Sequence, residues 1–380
     1  TLSLHDALPI SPNGKIDRRA LPAPAPDAAG RFAEPRDRME LELVLLWEEL
    51  LGRAPIGVRD DFFALGGDSL LSVRLVSSIE RRLGMRVPLH VLFETGTIER
   101  LAMVLRRESI AAPWSPLVCL QPAGERSPLF FVHAAGGIVF RYIQVAALLG
   151  KERPFWALQA RGIEPGHEVH ASVEVMAADY VRAIRQVRPR GPYLLGGWSF
   201  GGTVAFEMAR ILEAQGEAAP VLLMVDPASP WVDDYEDDDV EFLVERLRPA
   251  AGLPLAEIDA HGSPQAKLRY LFEQQRLAGL FVPDVSEADA ALRLRIHKHH
   301  NRIACEYRPA GPCRTKMLFF APSEAIPFDR RMQDPVPAWR ELALDGLELH
   351  AAPGNHFTMF SPEHGPVLAA ALRAALAELP

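Results

Sequence analysis

The sequence predicts a multi-domain chain: a small all-α bundle of the four-helix type, followed by a larger α/β domain on a largely parallel sheet. Three observations carry this. The chain has 380 residues, more than one domain ordinarily holds. Residues 35–110 space their apolar side chains at helical intervals. Beyond Ser115 short apolar runs alternate with helical patterns, the rhythm of a parallel sheet covered on both faces.

In the first region, "RDRMELELVLLWEELLG" (36–52) places Leu41, Val44, Leu45, Trp47 and Leu51 at mostly helical spacing opposite a charged face, with Gly52 as the stop. "IGVRDDFFALGG" is a loop with two aromatics, and "LLSVRLVSSIERRLG" is a helix running to Gly84. "TIERLAMVLRRE" is a further helix, with Thr97 as its N-cap. In the second region the runs "PLFFVHAAGG", "PFWALQARG", "PYLLGGWS", "PVLLMVDPAS", "KMLFFAPSE" and "LELHAAPGNH" read as strands. The stretches "FRYIQVAALLG", "SVEVMAADYVRAIRQV", "GGTVAFEMARILEAQG" and "PVLAAALRAALAEL" read as helices.

Composition narrows the function. Hydrophobic residues at 48% and charged residues at 24% allow a sizeable core. A net charge of −8 offers no basic field for a polyanion, so no nucleic-acid partner is expected. No run of ~18 apolar residues suggests a membrane span, and no basic segment followed by an apolar one suggests a secretory signal. The three cysteines, odd in number and without CxxC spacing, point to a reducing, cytoplasmic setting.

The first ten residues, "TLSLHDALPI", resemble the translation of a common sequencing adapter and are expected to be non-native. "SPNGKIDRRALPAPAP" follows, a turn signal and then a stiff Pro/Ala linker. It resembles the last core motif of adenylation domains in nonribosomal peptide synthetases, whose lysine matches Lys15. Residues 11–34 are thus expected to be the tail of such a domain and its linker, without adenylation activity of their own.

Ser69, in "FFALGGDSLLSVRL", follows a glycine turn and opens a helix. A helix N-terminus offers free N–H groups and a partial positive charge, which suit a phosphate. The position equally suits a plain helix cap. The stretch resembles the peptidyl carrier proteins, over about residues 35–110. The resemblance implies that Ser69, with Asp68 beside it, carries 4'-phosphopantetheine placed there by a phosphopantetheinyl transferase. Gly-Asp-Ser-Leu also heads a family of hydrolases, but those need a C-terminal Asp-x-x-His pair, and no aspartate stands three residues before a histidine in that region.

"GGWSFGG" supplies Gly197-Trp198-Ser199-Phe200-Gly201, a G-x-S-x-G between an apolar strand and a helix, the context of a nucleophile elbow. A serine nucleophile needs a base, and the base an orienting group. Asp226 ends the next strand in "LLMVDP", and His356 follows the last strand in "PGNHFTMF". Glu324 and Asp329, after "MLFFAP", compete for the acid role, and His364 for the base. The oxyanion donors are expected to be the backbone N–H groups of Phe200 and Ala134.

These stretches resemble the type I thioesterase domains of nonribosomal peptide and polyketide synthases, over about residues 116–380. The resemblance implies an α/β-hydrolase fold, a Ser199–Asp226–His356 triad, His133 as a structural histidine, and a helical lid over about residues 230–310. "HKHH" at 297–300 lacks the spacing of a zinc site, and no metal is expected.

The function expected is that of a carrier plus chain-terminating thioesterase. A peptidyl thioester on the arm passes to Ser199 and leaves by hydrolysis or cyclisation. Upstream condensation and adenylation domains of the same synthetase are the expected partners. The alternatives are a free-standing serine esterase, which leaves Ser69 unexplained, and a non-catalytic carrier module, which leaves the triad unexplained.

Overall fold

The computed structural model describes residues 33, 35, 38–107, 115–139, 141–163, 167–231, 238, 244, 255–277, 287–324, 334–361, 363–377 and 379. The adapter-like stretch, Lys15 and the linker lie outside the described residues, as does Asp329.

Helices α1 (Arg38–Leu51), α2 (Ser69–Leu83), α3 (Leu89–Thr95) and α4 (Ile98–Arg107) enclose one apolar core around Trp47, Phe62, Leu75, Ile79 and Leu101. Helix α1 stops at Gly52, whose φ of 60° belongs to the left-handed region where glycine costs least. Helix α2 stops the same way at Gly84, whose N–H donates to the Glu80 carbonyl at 3.0 Å. Helix α3 has only seven residues, too few to display a period in the sequence. The 56–67 loop is no surface turn. Phe62 is fully buried edge-on against Trp47, with ring centroids 4.9 Å apart.

The second region holds a seven-stranded sheet in the order β1-β3-β2-β4-β5-β6-β7. Its strands are β1 (Leu117–Gln121), β2 (Leu129–Val132), β3 (Phe155–Leu158), β4 (Leu194–Trp198), β5 (Val221–Val225), β6 (Lys316–Pro322) and β7 (Leu347–Ala352). All neighbours pair in parallel except β1, which runs antiparallel on β3 at the edge. Strand β1 carries no clear pattern in the sequence, and its Leu120 packs against the α2–α3 core residues Val73 and Leu89.

Strands β2, β4 and β5 are buried along their whole length, which explains their unbroken apolar runs. Successive side chains still point to opposite faces. Phe130, Val132 and Leu195 join one core beneath α6 (Val173–Val187) and α7 (Phe200–Ala214). Phe131, Leu194 and Trp198 join the other, beneath α5 (Tyr142–Leu149) and α12 (Gly365–Leu376).

Helices α8 (Leu255–Asp259), α9 (Pro264–Leu277) and α10 (Glu287–Glu306) stand between β5 and β6, and α11 (Val336–Leu342) between β6 and β7. Most of the acidic stretch before α8 lies outside the described residues. Just past the end of α10, Tyr307 donates to the Glu207 carboxylate of α7 at 2.6 Å. No described helix is long and apolar enough to cross a membrane.

Candidate active site

Parallel strands present their C-terminal ends along one edge, where loops from distant parts of the chain meet. The loops after β2, β4, β5 and β7 meet there, and each brings one of the residues expected from the sequence.

The β4–α7 turn is as tight as the motif demands. A Cβ on Gly197 would lie 2.2 Å from the Gly201 backbone, and one on Gly201 would lie 2.4 Å from the Val132 carbonyl oxygen. Ser199 itself has φ 55° and ψ −127°, a conformation costly for any residue with a side chain. Its N–H donates to the Val225 carbonyl at 2.9 Å, tying the turn to the end of β5. Asp226 also sits at positive φ, 43°, where Asp and Asn are the more tolerant types. Among the described residues these are the non-glycine positions with positive φ, and both lie at this edge of the sheet.

Asp226 is buried, and its Oδ2 lies 2.7 Å from Nδ1 of His356. A carboxylate only accepts, so the proton is on Nδ1 and Nε2 is the open, basic nitrogen. The indole of Trp198 packs beside this imidazole with centroids 5.3 Å apart. Asn355 braces the loop, its Oδ1 accepting from the N–H groups of Phe357 at 3.0 Å and Thr358 at 3.2 Å. The Ser199 hydroxyl makes no hydrogen bond to the imidazole here. Such contacts often close only when substrate is bound.

The rival residues fall elsewhere. Glu324 is exposed; its backbone N–H bonds the Gly354 carbonyl at 3.0 Å, but its carboxylate is not paired with His356. His364 lies directly before α12, against Gly354. His133 is fully buried after β2, with Nδ1 2.8 Å from the Ala134 carbonyl and Nε2 2.8 Å from the Tyr180 hydroxyl. Burial pushes it down to about 4, so it stays neutral.

Phe200 is the first residue of α7, so its N–H has no acceptor within the helix. Ala134 lies in the turn after β2, where its carbonyl accepts from Gly137 N–H at 3.0 Å. Both N–H groups sit at the edge where Ser199 emerges.

Two neighbours of the site were not expected there from the sequence. His300, from the "HKHH" stretch, is fully buried on α10 and packs against the rings of both His133 and Phe200, each centroid 5.0 Å away. Arg141, which precedes α5, donates to the Phe357 carbonyl at 3.2 Å and lies over the Trp198 ring. A charged residue interrupting the apolar "GIVFRYIQVAALL" was the one available signal.

Ser69, the other serine singled out in the sequence, is the first residue of α2. Asp68 is the cap, accepting from Leu71 N–H at 2.8 Å. The serine hydroxyl is therefore not spent on capping, and it is half-exposed. Ahead of it a Cβ on Gly67 would strike the Phe62 ring at 2.3 Å, so the turn closes onto the core. A free hydroxyl at a helix N-terminus fits a phosphodiester.

Comparison with known proteins matches both domains. Residues 127–376 match the family described as "Thioesterase domain", and residues 42–105 match "Phosphopantetheine attachment site". The malpibaldin synthetase of Mortierella alpina is 34% identical over 94% of this chain and 6% of its own length. A dimodular nonribosomal peptide synthase of Bacillus subtilis is 43% identical over 58% of this chain and 9% of its own. The chain thus spans less than a tenth of either. Among solved structures, a four-domain nonribosomal peptide synthetase bound to AMP and glycine overlays 99% of this chain and 29% of its own. The TM-score is 0.61 at 27% identity. A thioesterase domain, NocB, in covalent complex with a fluorophosphonate nocardicin G analogue overlays 69% of this chain and all of its own, with a TM-score of 0.53 at 25% identity.

Proposed function

Because this chain belongs to the thioesterase domain family and sets a phosphopantetheine carrier domain ahead of the thioesterase domain, we propose that Ser69 carries an acyl or peptidyl group and that Ser199 removes it. The observation that carries the reading is the 2.7 Å contact of His356 with Asp226, beside a serine held at positive φ on a strand-to-helix turn.

The phosphopantetheine group, when bound at Ser69, supplies a thiol on a long arm that holds the acyl group as a thioester. His356 Nε2 takes the proton of Ser199 as its oxygen attacks the carbonyl carbon. Asp226 holds the ring in its Nδ1–H tautomer and stabilises the imidazolium. The N–H groups of Phe200 and Ala134 receive the developing oxyanion. His356 then returns the proton to the departing sulfur, leaving the acyl group on Ser199. In a second round His356 activates water, or an amine or hydroxyl of the acyl chain itself. The first gives a linear acid and the second a ring.

Residues 11–34 are the tail of an adenylation domain, 35–110 a four-helix carrier bundle, and 116–380 an α/β-hydrolase domain. Helices α8–α10, within about residues 230–310, act as a lid that excludes water while the acyl chain is bound. The partners are upstream condensation and adenylation domains of the same synthetase and a phosphopantetheinyl transferase. Three free cysteines support a cytoplasmic setting.

Intact mass over time tests the whole reading. The protein is loaded from an acyl-coenzyme A by a phosphopantetheinyl transferase, beside its Ser199→Ala variant. One acyl-arm on Ser69, lost only where Ser199 is present, is the expected result. Failure to load would replace the carrier reading with a free-standing esterase.

A further inference from the structure

A half-buried cation stands beside the triad with no carboxylate among the described residues to balance it. Arg141 donates one hydrogen bond, to the neutral Phe357 carbonyl at 3.2 Å, and its guanidinium carbon lies 5.6 Å from the centre of the Trp198 ring. Among the described residues no carboxylate pairs with it. Burial pushes its guanidinium below the ordinary arginine range, and the neighbouring Tyr142 phenol only partly opposes that effect. A guanidinium has five N–H donors in a planar fork, so most of its hydrogen-bonding capacity is open.

Trp198 adds a second unpartnered donor. Its ring is buried, yet the indole Nε1–H has no hydrogen-bond partner. A buried donor without an acceptor costs free energy, and native structures leave few such groups unexplained. Both groups donate only, so a ligand that satisfies them must accept. One of them is cationic, so an anion is favoured over a neutral acceptor. A carboxylate matches the fork of an arginine in two parallel hydrogen bonds.

The location says whose carboxylate this is. Trp198 directly precedes Ser199, its ring lies 5.3 Å from that of His356, and Phe357 directly follows His356. Any group bound here is close to the acyl carbonyl while Ser199 attacks. The phosphate of the arm is separated from its thioester by the full length of the pantetheine and cannot occupy this position in the same complex. The acyl chain can.

We propose that Arg141 and the Trp198 indole N–H form a carboxylate-binding subsite, which makes the thioesterase selective for acyl chains bearing a carboxylate a few bonds from the thioester carbonyl. The inference rests on the thioesterase reading of Ser199.

The test uses N-acetylcysteamine thioesters of glutaric, adipic and pimelic acids, each beside its ω-carboxamide, with the full chain near neutral pH. The readout is the ratio of kcat/KM for acid over amide. At least one acid should exceed its amide about tenfold or more, the size of a charge-assisted hydrogen bond. Arg141→Met should bring that ratio close to one. Arg141→Lys should keep part of it, and Trp198→Phe should reduce it while retaining a ring. Arg141→Met can also loosen the His356 loop and lower both rates, which leaves the ratio as the discriminating quantity. Equal rates for acid and amide in the parent protein, or a preference that survives Arg141→Met, would overturn the proposal and leave Arg141 as a brace of the His356 loop. Ser199→Ala separates this from a failure of the underlying reading. If that variant still turns over the amides at the parent rate, the thioesterase assignment itself is wrong.

Discussion

The imidazole of His300 lies flat on the phenyl ring of Phe200, with centroids 5.0 Å apart and planes 11° apart. Helix α10 is thereby laid on the residue that follows Ser199. His133 packs against the same two rings, 5.0 Å and 23° from His300 and 6.0 Å from Phe200. Neither ring nitrogen of His300 has a hydrogen-bond partner. The groups around the pair are His170, bonded to Asp179 at 3.0 Å, the Tyr180 hydroxyl, and His297 and His299 of α10 itself.

Acid should loosen this contact. Burial pushes His133 down to about 4 and His300 well below its ordinary range. A histidine whose folded value is depressed binds its proton mainly when the protein unfolds, so stability rises with pH across the gap. The contribution is fully present above about pH 6.5 and is lost as pH falls toward 4. For His133 alone the full loss is roughly 3 kcal/mol. The thermal midpoint should therefore drop by several degrees between pH 7 and pH 4.5, and His300→Leu should flatten that slope. An equal slope in both proteins would count against it.

Asp226→Asn should lower kcat by about a thousandfold or more, since an amide facing Nδ1 permits the wrong tautomer. Asparagine tolerates the positive φ of 43° found here, so the fold should be kept. Glu324→Gln should change kcat less than about twofold, because its exposed carboxylate is not paired with His356. Steady-state thioester hydrolysis, with circular dichroism as a folding control, separates the two variants.

In the carrier domain, Asp68→Ala should cost about 1 kcal/mol through loss of the α2 cap. Ser69→Ala should stay within about 0.5 kcal/mol of the parent, because its hydroxyl caps nothing. Urea titration measures the stability and intact mass measures arm loading. The expected pattern is one variant weakened and the other stable but never loaded.

The turn around Ser199 should reject side chains on either flank. Gly201→Ala puts a methyl 2.4 Å from the Val132 carbonyl oxygen, and backbone cannot yield there as a flexible side chain would. A loss of several kcal/mol, seen as low soluble yield or a sharply reduced thermal midpoint, is expected. Gly216→Ala meets no atom within 4 Å and carries only the strain of its φ of 75°, about 1 kcal/mol. Comparable midpoints for the two would show that the turn can relax.

Much of the architecture was legible because it is local. Helical period, glycine stops and unbroken apolar strands are written in consecutive residues, and the Gly-x-Ser-x-Gly and Gly-Gly-Asp-Ser motifs hold their chemistry within a single turn. The seven residues of α3 and the antiparallel β1 escaped, the first too short for a period and the second set by its partner strand. The choice among Asp226, Glu324 and Asp329 was likewise not local. His356 is 130 positions from the carboxylate it meets. That pairing depends on the order β4-β5-β6-β7, which brings the ends of β5 and β7 within reach across β6. The sequence by itself determined which elements form and which residue types stand at their ends. Only the tertiary structure decided which of those ends face each other, because strand order and helix packing bring together residues that no window of sequence contains.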